Sequence, residues 1–141
     1  MRQSRQPELL LPRAHDMADK TIADKMYLKT AKSLAVFNGA VHSGMVAELP
    51  SEMITEGDAP ADVVLVFAMN QKELDQWWPM ALQRLGDKGS LWVAFMKHSA
   101  PKATDLNRDS IFAFAKEHGV TGVALISMDA DWSAVRLKRL E

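Results

Sequence analysis

Cysteine is absent from the chain. That excludes disulfides, thiolate nucleophiles and Cys-ligated zinc or iron–sulfur centres. It fits a reducing compartment, and a cytoplasmic location is the expectation. Long apolar runs are also absent. None approaches the roughly 20 residues needed to span a bilayer, so no membrane partner is expected. Charge of one sign is missing: 17 basic and 18 acidic residues leave a formal net charge of -1. Without a global basic field, nucleic acid is not an expected partner, and Arg136, Lys138 and Arg139 are too few to build one. The motifs that cradle phosphates or expose a nucleophile are missing as well. After the first strand-like run there is no G-x-G, no Walker lysine follows a G-x-x-x-x-G pattern, and there is no G-x-S-x-G elbow. The histidines, His15, His42, His98 and His118, are not at H-x-H or H-x-x-x-H spacing. No metal site is expected from them, and no cofactor is implied.

What is present points to a layered α/β domain. The chain has 141 residues, of which 48% are hydrophobic, enough for one domain with a real core. Residues 1–20 carry Pro7 and Pro12 and no sustained periodicity, so they read as a disordered leader. Met17 is an alternative start. Residues 21–141 read as a single domain. Within it, Ala61 to Phe67 is nearly continuous and β-branched, the mark of a strand buried on both faces. Gly89 to Phe95 is a second such run. Ser33 to Phe37 reads as a strand ending at the Asn38–Gly39 turn. Val41 to Leu49 reads as a short helix stopped by Pro50, and Met53 to Thr55 as a short strand.

Asn70 with Glu73 is a capping pair opening a helix. Leu74, Trp78, Ala81 and Leu85 form its core stripe, and Gly86 is its expected left-handed stop. A third helix lies near Asn107 to His118, with Gly119 as its stop. Gly122 to Met128 and Trp132 to Leu140 read as strands around an Asp129–Asp131 turn. This order gives a reduced Rossmann-like, mostly parallel sheet with flanking helices and a C-terminal antiparallel hairpin. Trp77 lies on the margin of its helix stripe. It is either a half-buried neighbour of the core or an exposed contact surface, in which case it would support a homo-oligomer.

One polar cluster stands out: Lys97, His98, Thr104 and Asp105, with Trp132, Ser133 and Arg136. The first four follow the carboxyl end of a central strand, where open α/β sheets bind ligands. Lys97 and Arg136 would form a charged wall, Asp105 would open the next helix, and Trp132 would be the apolar wall. On a strand, Trp132 and Arg136 project from one face, about 13 Å apart at roughly 3.3 Å per residue. The competing reading makes Thr104 or Asp105 a helix cap and the two cations solvated or paired edge residues.

The Asp62–Phe67 strand, "GSLWVAFMK" ending at Lys97, "TDLNRD" at Thr104–Asp109 and "WSAVRL" at Trp132–Leu137 occur in order across the chain. With them, the segment from Tyr27 to Leu140 resembles a family of short bacterial proteins known as domain of unknown function thirty fifty-two. The resemblance implies a reduced methyltransferase-like Rossmann domain and carries no activity with it. Two departures bear on any shared pocket. Only Pro101 stands where the family pattern has a proline and a glycine, and Asn38–Gly39 replaces a proline turn. The missing glycine loop makes a non-enzymatic binding or interaction domain the expectation. The alternative is a ligand-binding or enzymatic domain using a small anionic or nucleotide-like molecule.

Overall fold

The computed structural model describes residues 21–98, 100 and 105–140. The expected leader and Thr104 lie outside them. In chain order the strands are β1 (Leu34–Phe37), β2 (Ala61–Phe67), β3 (Leu85–Met96), β4 (Val120–Ser127) and β5 (Trp132–Arg139). The α-helices are α1 (Ile22–Lys25), α2 (Ser43–Val46), α3 (Gln71–Arg84) and α4 (Arg108–Glu117). One five-stranded sheet has the order β1-β2-β3-β5-β4. β1, β2 and β3 are parallel, and β5 is antiparallel to both β3 and β4.

The continuous apolar run predicted β2, and its burial explains why. Val64, Leu65, Val66 and Phe67 are fully buried. Val64 and Val66 face α3 and α4 in one core layer. Leu65 and Phe67 face a second layer built from Ile22, Met26, Met45 and Leu49. Parallel pairing demands this, because both faces of such a sheet must be covered.

The helices start as their side chains dictate. The Asn70 side chain accepts from Glu73 N–H. Asn107 forms a reciprocal capping box with Ser110 at α4. Leu74, Trp78 and Ala81 of the expected stripe are buried.

Two expectations need correction. Gly86 is not the helix stop: Leu85 is already extended (ψ 120) and pairs with Ala61, so α3 runs directly into β3. Residues 41–49 are not one helix but a 3₁₀ turn, Gly39–His42, followed by the short α2. The C-terminal hairpin does add the expected antiparallel edge, in an order the sequence did not signal. β5 inserts between β3 and β4, leaving β4 at the edge, so the strand next in space to β3 is the last in sequence.

The Met53–Thr55 segment makes one parallel bridge, Ile54 to Leu34, with Thr55 N–H donating to Leu34 O at 2.9 Å. The bridge is small but decisive for the site. The chain leaves β1 outward toward Ile54, yet leaves β2 inward toward β3. The connections diverge above the carboxyl ends of β1 and β2, a topological switch point.

Candidate functional site

The switch-point crevice is filled by the protein's own side chains. Asn38 closes β1 in the left-handed conformation (φ 59), which asparagine tolerates better than most residues. Its amide donates to Phe67 O at 2.8 Å and to Glu73 Oε1 at 2.9 Å. The same Glu73 oxygen accepts Met69 N–H at 2.9 Å. The expected capping partner Glu73 therefore reaches into the crevice and ties the ends of β1 and β2 together.

A second closure stands beside it. His42 Nε2 lies 2.7 Å from Asp129 Oδ2, joining the turn after β1 to the β4–β5 hairpin. The imidazole packs against Trp132 at 5.3 Å and Phe67 at 6.1 Å between centroids. Burial alone would raise the Asp129 carboxyl. Its hydrogen bonds with His42 and from the N–H groups of Asp131 and Trp132 outweigh that and hold it below its usual value.

The open part of the carboxyl edge lies over β3 and β5. A cavity of about 420 Å³ is lined there by Phe95, Lys97, His98, Arg108, Leu125 and Ser133, with Asn107 and Asp109 at the amino end of α4. Lys97 Nζ donates to Ser127 Oγ at 2.7 Å, which orients the ammonium along the rim. Among the described residues, Arg108 Nε reaches only its exposed neighbour Asp109, at 3.2 Å. Two cations thus face one carboxylate, and Phe95 and Leu125 supply an apolar wall. The volume suits a small metabolite.

The polar cluster expected from sequence is only partly assembled. Lys97, His98 and Ser133 meet at this cleft. Asp105 instead accepts Gln71 N–H at 2.9 Å and so caps α3, the helix before its own. Trp132 is buried in the other core layer, against Phe67 and His42. Arg136 shares that face but lies toward the amino end of the sheet, where its Nε donates to Ser90 Oγ at 3.0 Å. Lys97 and Arg136 therefore do not share a wall: Lys97 follows β3, while Arg136 pairs with Trp92 in mid-strand. Trp77 is half-buried, its ring 6.3 Å from Phe37.

Sequence reading missed Arg108, whose only signal is its position one residue after the Asn107 cap. It also missed the His42–Asp129 pair, for which a separation of 87 residues leaves no local signal. Among the described residues, no group of three or more His, Cys, Asp or Glu could hold a metal ion. None of the described helices is long and apolar enough to cross a membrane.

The architecture is that of solved methyltransferases. The chain is similar to the mitomycin 7-O-methyltransferase MmcR, with 10% identity and a TM-score of 0.55 over 77% of this chain and 49% of that one. It is similar to an O-methyltransferase family protein from Burkholderia thailandensis, with 10% identity and a TM-score of 0.57 over 84% of this chain and 55% of that one. It is also similar to the glycopeptide N-methyltransferase MtfA, solved with S-adenosylmethionine, with 9% identity and a TM-score of 0.54 over 85% of this chain and 93% of that one. The chain spans about half the length of the first two. No family model and no curated protein matches it. The class defined by the fold is the methyltransferase-like Rossmann domain. At one residue in ten identical, the likeness is one of fold.

Proposed function

We propose that this chain binds a small anionic or nucleotide-like molecule in the cleft between Lys97 and the amino end of α4, as a domain of enzymatic type. The observation that carries this reading is the cleft itself. It lies at the carboxyl end of the sheet, with Lys97 and Arg108 on its rim and Phe95 and Leu125 on its wall. The cations and the first N–H groups of a ten-residue helix favour an anion. The apolar wall suits an attached ring or chain. Fold neighbours that are methyltransferases support the enzymatic side over a non-enzymatic interaction module.

S-adenosylmethionine, bound by MtfA, is one ligand to test. The crevice over β1 and β2 does not suit it, because Asn38 and Glu73 already occupy that place. The test is calorimetry with adenosine monophosphate, inorganic pyrophosphate, S-adenosylmethionine and S-adenosylhomocysteine. Saturable binding of at least one is expected, and it should be lost in Lys97→Ala. A ligand at 100 times its Kd would add about 2.7 kcal/mol of stability. Absence of binding by all four, or binding indifferent to Lys97, would overturn the reading.

A further inference from the structure

A second cavity lies at the other end of the sheet. Its volume is about 360 Å³, and it opens where β2 and β3 begin, beside the turn that follows α1. The chain accepts backbone strain there. Tyr27 sits in the left-handed region (φ 59, ψ 36), an outlier for a bulky side chain. Burial does not explain this, because Tyr27 is 59% exposed. What the conformation achieves is the placement of the phenol ring against Arg136, with the guanidinium carbon 5.3 Å from the ring centroid.

The guanidinium is held from a second side. Arg136 Nε donates to Ser90 Oγ at 3.0 Å, and Ser90 is buried. Ring and hydroxyl together fix its plane. Among the described residues, neither Nη group has a hydrogen-bond partner, and that outer edge is the fork that takes a carboxylate through two parallel hydrogen bonds.

The remaining charges select the ligand. Asp62, Asp87 and Lys88 complete the rim. One Asp62 oxygen accepts Lys32 N–H at 2.7 Å, while among the described residues the Asp87 and Lys88 side chains have no hydrogen-bond or ion-pair partner. Two cations therefore balance two carboxylates. A polyanion would meet Asp62 and Asp87, and a lone amine would meet Arg136 and Lys88. A molecule with one charge of each sign meets a partner at both ends.

We infer that this cavity binds an amino-acid-type zwitterion, its carboxylate on the Nη edge of Arg136 and its ammonium toward Asp62 and Asp87. The site is independent of the Lys97 cleft.

The test is calorimetry on the full chain with the proteinogenic L-amino acids as probes. Acetate and methylamine serve as single-charge controls. At least one amino acid should bind saturably, with each control weaker by about tenfold or more, the loss of one charged partner. Arg136→Lys keeps the charge but loses the fork, and should weaken binding by about tenfold. Tyr27→Gly relieves the left-handed backbone, so it should fold with an unchanged or higher Tm while also binding more weakly. Lys97→Ala should bind the amino acid as the parent does, which separates failure here from failure at the other cleft. No amino-acid binding by the parent at millimolar concentration would overturn the inference. So would acetate binding as tightly as the amino acid, or Arg136→Lys binding as the parent does.

Discussion

The carboxyl edge of this sheet has two halves built on opposite plans. Over β1 and β2, polar side chains bond to one another: Asn38 to Glu73, and His42 to Asp129. Over β3 and β5, Lys97, His98 and Arg108 surround a cavity. A topological switch point is the usual place for a ligand in such sheets, and here it is the closed half. The position of a crevice in a fold therefore does not decide its use. What decides it is whether the residues after β1 leave backbone exposed or fill the space with side chains.

β2 supports both halves, so breaking it should have the largest effect. Val64 is fully buried in mid-strand. Val64→Asp places a lone carboxylate in an apolar layer, which costs several kcal/mol, and the variant should be unfolded by circular dichroism. A folded, soluble variant would mean that β2 is not the centre of the core.

Next in size is the closed half. Glu73→Ala removes the acceptor shared by the Asn38 amide and Met69 N–H. A loss of about 2 kcal/mol in urea unfolding is expected, the scale for a part-buried donor left unmet. A neutral result would show that water enters the crevice and serves these groups equally well.

Smaller again is the hairpin closure. Asp129 titrates lower in the folded chain than in the unfolded one. Its stabilising contribution is therefore complete above the unfolded carboxyl value of about 4. It is lost as pH falls through the lower folded value. Because the pair is partly solvated, with side-chain exposures of 23% and 35%, screening keeps the contribution under about 1 kcal/mol. Asp129→Asn should lower stability at neutral pH by under about 1 kcal/mol and flatten the acid limb of a stability–pH curve below about pH 4. An acid limb identical to the parent's would contradict this.

The smallest effect belongs to the open half. Among the described residues, the Lys97 ammonium bonds only to the exposed Ser127 hydroxyl, so Lys97→Ala should change stability by no more than about 0.5 kcal/mol. A larger loss by thermal unfolding would turn Lys97 from a site residue into a structural one.

The sequence showed the parts of this molecule that local pattern determines. β2 and β3 were legible because both faces are covered, which leaves continuous apolar runs. The Asn70 cap was legible because it acts within one turn of its helix, and Gly119 because its left-handed backbone (φ 83) needs glycine. Other features depend on pairing across long separations. Nothing in Trp132–Arg139 signals that β5 enters between β3 and β4. Asp105 caps a helix that begins 34 residues earlier in the chain. Lys97, His98 and Ser133, grouped from their places near strand ends, line one cavity. Trp132 and Arg136 have the expected shared face, but strand parity puts it on the opposite side of the sheet from Phe95 and Ser133. Strand spacing alone cannot tell which of the two faces a pocket occupies.

The most direct test of the contrast between the halves is an amide chemical-shift titration of the full chain with adenosine monophosphate. The account predicts saturable shifts concentrated at Lys97, His98 and residues 107–109, with residues 38–42 and 69–73 unmoved. Shifts concentrated at Asn38, His42 and Glu73 instead would show that the closed half opens to take the ligand, and would contradict the account.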